Sequence, residues 1–210
     1  MENKVSNELK EHYAKKFKEF GATPKGVDWG KEEDMLMRFE KMVNIIDHHG
    51  SENSAVPSLL DVGCGYAGLL TYAIEKNISI DYTGIDVVKE MIDYSKNHFS
   101  KGRFFCKDVL EFTDEKFDYV VCNGILTQKL NVSIKEMDVF AKQIIKKMFS
   151  ICNKGIAFNI MSDKVNFMVD NLYYKNPVEM FAFCLSEISE KVMIDHSYPL
   201  YEYTVYIYKR

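Results

Sequence analysis

The sequence predicts an α/β fold: a mostly parallel sheet of seven strands with helices on both faces, an antiparallel C-terminal strand and an N-terminal helical cap. Three observations carry this. From Leu59 onward short apolar runs alternate with amphipathic helical runs, the rhythm of a parallel sheet covered on both sides. The first run bends into a helix through D-V-G-C-G-Y-A-G, residues 61–68. Two β-rich runs close the chain, and the linker between them is short enough for an antiparallel pair.

Each element has its own signal. Val5, Leu9, Tyr13 and Phe17 recur every fourth residue, an amphipathic helix ending near Gly21. G-A-T-P-K-G-V-D-W-G, residues 21–30, reads as a loop. A second helix starts behind Lys31-Glu32-Glu33-Asp34, whose acids suit a positive helix end. Its apolar face is Met35, Leu36, Phe39, Met42, Val43 and Ile46, and Gly50 ends it. No strand separates these two helices, so residues 1–50 are expected as a cap beside the sheet's C-terminal edge, where ligands bind in such folds. Residues 56–210 supply the core of what reads as a single domain. Strands are expected at residues 59–62, 78–85, 103–106, 117–122, 155–161, 191–194 and 201–208. Helices are expected at 69–75, at 88–99 and along Ile134, Met137, Ile144, Ile145 and Met148. A last helix begins at Asn176-Pro177, with Asn as cap and Pro in the first helical position.

Composition narrows the function classes. A chain of 210 residues suffices for one buried core and is short for two full domains. Apolar residues at 47% and charged residues at 28% are ordinary for a globular protein. A net charge of −4 argues against a broad nucleic-acid face, which needs clustered Lys and Arg. The N-terminus lacks the apolar stretch of a signal peptide, and no run reaches membrane-span length. The five cysteines are odd in number and unpaired by C-x-x-C spacing. They fit free thiols in a reducing cytoplasm rather than a disulfide or metal framework.

The glycine turn permits two readings. Gly63, Gly65 and Gly68 spell G-x-G-x-x-G, the dinucleotide fingerprint, whereas Asp61, Gly63 and Gly65 spell D-x-G-x-G. Either way a strand bends sharply into a helix whose free N–H groups can take a polar ligand. Asp86 follows the second strand, where an acid can accept from both ribose hydroxyls. Asp108 follows the third strand, and Asn123-Gly124 the fourth.

L-L-D-V-G-C-G, G-I-D, K-D-V and F-D-Y-V-V-C-N-G, in this order over residues 59–126, resemble the motif series of class I S-adenosylmethionine-dependent methyltransferases. The resemblance implies a Rossmann-like core, S-adenosyl-L-methionine as cofactor and S-adenosyl-L-homocysteine as product. It places Asp61, Gly63, Cys64 and Gly65 under the methionine part, and Asp86 on the ribose with Val87 on the adenine. It places Asp108 on the adenine amino group, with Val109 beside it, and Asn123 and Gly124 near the transferred methyl. The family often has a third glycine where this chain has Ala67; Gly68 then reads as a small residue in the first helical turn. The implied reaction is displacement at a sulfonium methyl by an O or N atom of a small molecule, without nucleic-acid or membrane partners, in a monomer or homodimer. The flanking segments look similar to small bacterial methyltransferases of sugar or secondary-metabolite pathways. The competing readings are an NAD(P)-binding oxidoreductase and a non-catalytic cofactor-binding subunit.

The remaining candidates lie outside the motifs. His12 and His196 are candidate bases; His48, His49 and His98 instead suit the negative ends of helices. Trp29 either shields the sulfonium by cation–π contact or anchors the N-terminal helices. Arg38 either pairs with the cofactor carboxylate or is a surface charge. Phe167, Tyr173 and Tyr174 follow the fifth strand and either line the acceptor pocket or belong to the core.

Overall fold

The computed structural model describes residues 4–47, 56–112 and 115–210. His48, His49 and Gly50, read above as the end of the second helix, lie outside them. The strands are β1 (Ser58–Val62), β2 (Asp81–Asp86), β3 (Arg103–Cys106), β4 (Phe117–Cys122), β5 (Cys152–Ser162), β6 (Tyr174–Lys175), β7 (Val192–Asp195) and β8 (Glu202–Tyr208). The helices are α1 (Lys4–Phe20), α2 (Glu32–Asp47), α3 (Gly68–Glu75), α4 (Lys89–His98), α5 (Ile134–Ile151) and α6 (Pro177–Glu187). The sheet order is β3-β2-β1-β4-β5-β8-β7, and the short β6 pairs parallel with β5 beside this path. β1 to β5 run parallel; β8 is antiparallel to both β5 and β7. The expected mostly parallel sheet with an antiparallel C-terminal strand is therefore present, with the two-residue β6 added.

Period-two alternation splits the strand side chains between two apolar layers. Leu59, Tyr119, Val121, Ala157 and Tyr206 face one layer, where Met42 and Val43 of α2, Leu69 and Leu70 of α3 and Ile92 of α4 meet them. Leu60, Val120, Ile156, Phe158 and Val205 face the other, filled by α5 and α6. Seven residues of α5 are buried, from Met137 to Ile151. Each large apolar side chain so placed contributes about 1.5–3 kcal/mol before entropy is counted. A capping box fixes the start of α5: Ser133 accepts from the Glu136 N–H while Glu136 accepts from the Ser133 N–H. Asn176 caps α6 by accepting from Val178 and Glu179 N–H.

The two N-terminal helices take different positions. α2 packs on the sheet through β4, β5 and β8 and beside α3. α1 touches α4, α5 and a 3-10 turn at Pro24–Val27 that interrupts the predicted loop. It buries only Val5 and Leu9.

Candidate active site

The strand register builds the site. Val62 pairs with Ile85 on one side and Cys122 on the other, and Asp86 pairs with Cys106. Residues just past β1, β2, β3 and β4 therefore emerge side by side at one edge of the sheet. They line one cleft. Asp61, Gly63, Cys64 and Gly65 come to it from the first strand end, Asp86 and Val87 from the second, Asp108 and Val109 from the third, and Asn123 and Gly124 from the fourth. Opposite them stand Ser6, Leu9 and Tyr13 of α1, Val27 and Trp29 of the loop, and Phe39 of α2.

Local geometry explains the glycine turn. Gly63 has φ +73°, and a Cβ there would stand 2.5 Å from Ile125 Cδ1. Glycine suits both the left-handed backbone and the close approach of the Ile125 side chain. Gly63 and Cys64 N–H both donate to the Ile85 carbonyl, at 2.8 and 3.1 Å, which ties the turn to β2. Ala67 keeps the left-handed conformation, φ 62°, immediately before α3. Gly68 opens that helix, and a Cβ on it would stand 2.7 Å from Phe39 Cζ.

The cleft acids are already hydrogen-bonded, and Asp61 and Asp86 are buried. Asp86 accepts from Gly65 N–H at 2.9 Å and Val88 N–H at 2.8 Å, yet burial outweighs these donors and raises its pKa. Asp61 accepts from the Tyr82 hydroxyl at 2.7 Å, and burial still pushes its carboxyl up to about 7. Asp108 accepts from Leu110 N–H at 2.9 Å and from Ser6 Oγ of α1 at 2.7 Å. Burial, with the Asp28 and Asp86 carboxylates, raises the Tyr13 phenol, so it remains a donor. Asn123 is 8% exposed, and neither its Nδ2 nor its Oδ1 has a protein partner.

Arg38, His12 and His196 do not line the cleft. Arg38 is drawn away by Glu202, to which its Nε and Nη2 donate at 3.0 and 2.9 Å. His12 pairs with Asp28 Oδ2 at 2.6 Å, and Lys16 holds the other Asp28 oxygen at 2.7 Å. Burial would raise the Asp28 pKa, but hydrogen bonds from Lys16 and His12 outweigh it and hold it below the usual value. His196 is exposed and meets Tyr203 edge-on at 5.6 Å. Trp29 has both positions weighed above: it lines the cleft and packs 5.5 Å from the Phe39 ring. Phe167 is exposed, Tyr173 is buried with its hydroxyl on Asp138, and Tyr174 accepts from Val169 N–H. None of these three lines the cleft. Sequence reasoning missed Ser6, Tyr13, Val27, Phe39, Tyr66 and Lys107, all of which do. For Ser6 and Tyr13 a signal existed: with Leu9 they repeat at helical spacing along one face of α1.

Comparison with known proteins identifies the family. A family model described as a methyltransferase domain matches residues 54–202. The protein Rv1506c of Mycobacterium tuberculosis, named as a methyltransferase, is 33% identical over 164 residues, covering 75% of this chain and 96% of its own. A ubiquinone biosynthesis O-methyltransferase of Coxiella burnetii is 36% identical over 74 residues, but these are 32% of this chain and 31% of that one. Among solved structures, magnesium protoporphyrin IX methyltransferase from Synechocystis with bound S-adenosylhomocysteine has a TM-score of 0.68 at 12% identity, over 98% of this chain and all of that one. The plantazolicin methyltransferase BpumL, in complex with a substrate analogue and S-adenosylhomocysteine, has a TM-score of 0.60 at 14% identity, over the whole of both chains. The chain belongs to the methyltransferase domain family. It shares its fold with these S-adenosylhomocysteine-bound methyltransferases.

Proposed function

We propose that the chain, acting as one methyltransferase domain, moves a methyl group from S-adenosylmethionine in this cleft to an O or N atom of a small organic acceptor. The observation that carries the reading is the convergence of Asp61, Asp86 and Asp108 with the unpartnered Asn123 amide along one edge of the sheet. A buried amide lacking both a donor partner and an acceptor partner fits a polar ligand supplying both. On this reading Asp86 accepts from ribose hydroxyls, and Asp108 from the adenine amino group, with Val87 and Val109 as apolar neighbours. Asp61 then serves the cationic amine of the methionine part.

When bound, S-adenosylmethionine would supply a methyl group on a positively charged sulfur: the acceptor's lone pair would bond to the methyl carbon as the S–CH3 bond breaks, S-adenosylhomocysteine would leave, and the acceptor's proton would pass to water. The chain's residues align and exclude water. Trp29 and Phe39 present apolar rings to the cleft, and Leu9 and Tyr13 of α1 line it with them. Tyr13, held protonated, serves as a hydrogen-bond donor rather than a base. The similar structures named for magnesium protoporphyrin IX and plantazolicin support an organic acceptor of modest size. The test is incubation with isotope-labelled S-adenosylmethionine and a bacterial metabolite extract, followed by mass spectrometry. A metabolite gaining one labelled methyl is expected; label appearing only on protein or nucleic acid would overturn the acceptor class.

A further inference from the structure

Arg38 misses the cleft, but its partner leads back to it. Glu202 of β8 is 1% exposed, and its carboxylate accepts from Arg38 of α2 and from Asn159 Nδ2 of β5 at 3.0 Å. Asn159, also 1% exposed, turns its Oδ1 to the Gly124 N–H at 2.8 Å. Its orientation is forced: only the amide oxygen can accept from that N–H, so the NH₂ must point at a carboxylate. On the other side of the same turn stands Trp29. Its ring atoms lie 3.5–3.8 Å from where a Cβ on Gly124 would be, and the Arg38 guanidinium carbon lies 5.5 Å from its centroid. The turn carrying Asn123 is thus held between Asn159 and Trp29, and one ion pair anchors both.

Taking the cleft as the cofactor site proposed above, we infer that Arg38 and Glu202 are positioning residues: an ion pair with a buried carboxylate that fixes the Asn123–Gly124 turn and the Trp29 ring around the bound ligand. Stability alone does not account for the pair, because apolar replacements of buried ion pairs are often neutral or stabilising. What the pair adds is direction. The fork of Arg38 sets the carboxylate, the carboxylate sets the Asn159 amide, and the amide sets the Gly124 N–H. Glu202→Gln removes the charge and one of the two oxygens that Arg38 grips, which loosens the hold on the Asn159 amide.

Trp29 is the only tryptophan in the chain, so its fluorescence reports the relay directly. The experiment compares wild type, Glu202→Gln, Arg38→Lys and the paired variant Arg38→Met/Glu202→Leu. It measures melting temperature, Trp29 emission without ligand and S-adenosylhomocysteine affinity by calorimetry. The paired variant guards against a single substitution that leaves a lone buried charge and fails to fold. Variants that fold are expected to shift Trp29 emission and to lose roughly tenfold in affinity, the scale of one hydrogen bond to a charged group. The paired variant is expected to do so while melting at or above the wild-type temperature. Folded variants with wild-type affinity and unchanged emission would overturn the relay. Wild type failing to bind S-adenosylhomocysteine would instead overturn the assignment of the cleft, and it is read without any variant.

Discussion

Asp61 carries a pH dependence that can be measured. Burial holds its carboxyl at about 7, and the Tyr82 hydroxyl offsets only part of that rise. A cationic amine beside it favours the carboxylate, so binding the proposed ligand must expel a proton wherever free Asp61 is protonated. Affinity for S-adenosylhomocysteine is therefore expected to rise with pH up to about 7 and then level off. Well below that point the slope approaches about tenfold per pH unit. Calorimetry from about pH 5.5 to about pH 8.5 reads this, and Asp61→Asn should flatten the profile. An unchanged slope in that variant would remove Asp61 from the role. Asp86→Ala is expected to lose roughly tenfold or more in the same affinity with its fold retained by circular dichroism. The cleft acids were legible in the sequence because each stands at or near the C-terminal end of its strand, and parallel pairing aligns strand ends. Arg38 was not, because its partner Glu202 stands 164 residues away and no local pattern announces it. Tyr13 and Phe39 escaped for another reason. An apolar stripe reads the same whether it faces a core or a cleft.

Among the elements, α1 differs most from the rest. It has 17 residues and buries two, whereas α5 has 18 and buries seven. Its hold on the body includes Ser6 on Asp108, the exposed Lys4–Glu136 pair and the Asp28 contacts; an exposed pair contributes at most about 1 kcal/mol. Hydrogen exchange should therefore be fast along α1 and slow along α5. S-adenosylhomocysteine should slow α1 selectively; equal protection of the two helices without ligand would contradict this account. Helix positions were readable from apolar spacing and from caps such as Asn176. The two-residue β6 was not, since two residues carry no periodicity. Its pairing rests on the long return after β5, where Tyr173 N–H donates to the Thr127 carbonyl. Gly68 and Ala67 show both sides of the same limit. The sequence placed Gly68 in a first helical turn, as observed, but the left-handed backbone of Ala67 appears only in the structure.

At the scale of the whole molecule, the chain should respond to ligand as one cooperative unit. Both N-terminal helices contribute side chains to the two apolar layers on either side of the sheet. S-adenosylhomocysteine at about a hundred times its dissociation constant should add about 2.7 kcal/mol. For a domain of this size that raises the melting temperature by roughly 5–10 °C. NAD(H) should leave it unchanged, and the opposite pattern in a thermal-shift comparison would reverse the choice of cofactor. The Ser6–Asp108 hydrogen bond has one more consequence, for turnover. On the proposed reading the adenine amino group needs an oxygen that α1 already engages. Loading is then an exchange, and affinity reflects the loss of one bond as well as the gain of another. The spent product faces the same helix on its way out. Once the acceptor is methylated, the departure of α1 becomes the natural slow step, and the catalytic rate a property of a loosely held helix more than of the chemistry beneath it.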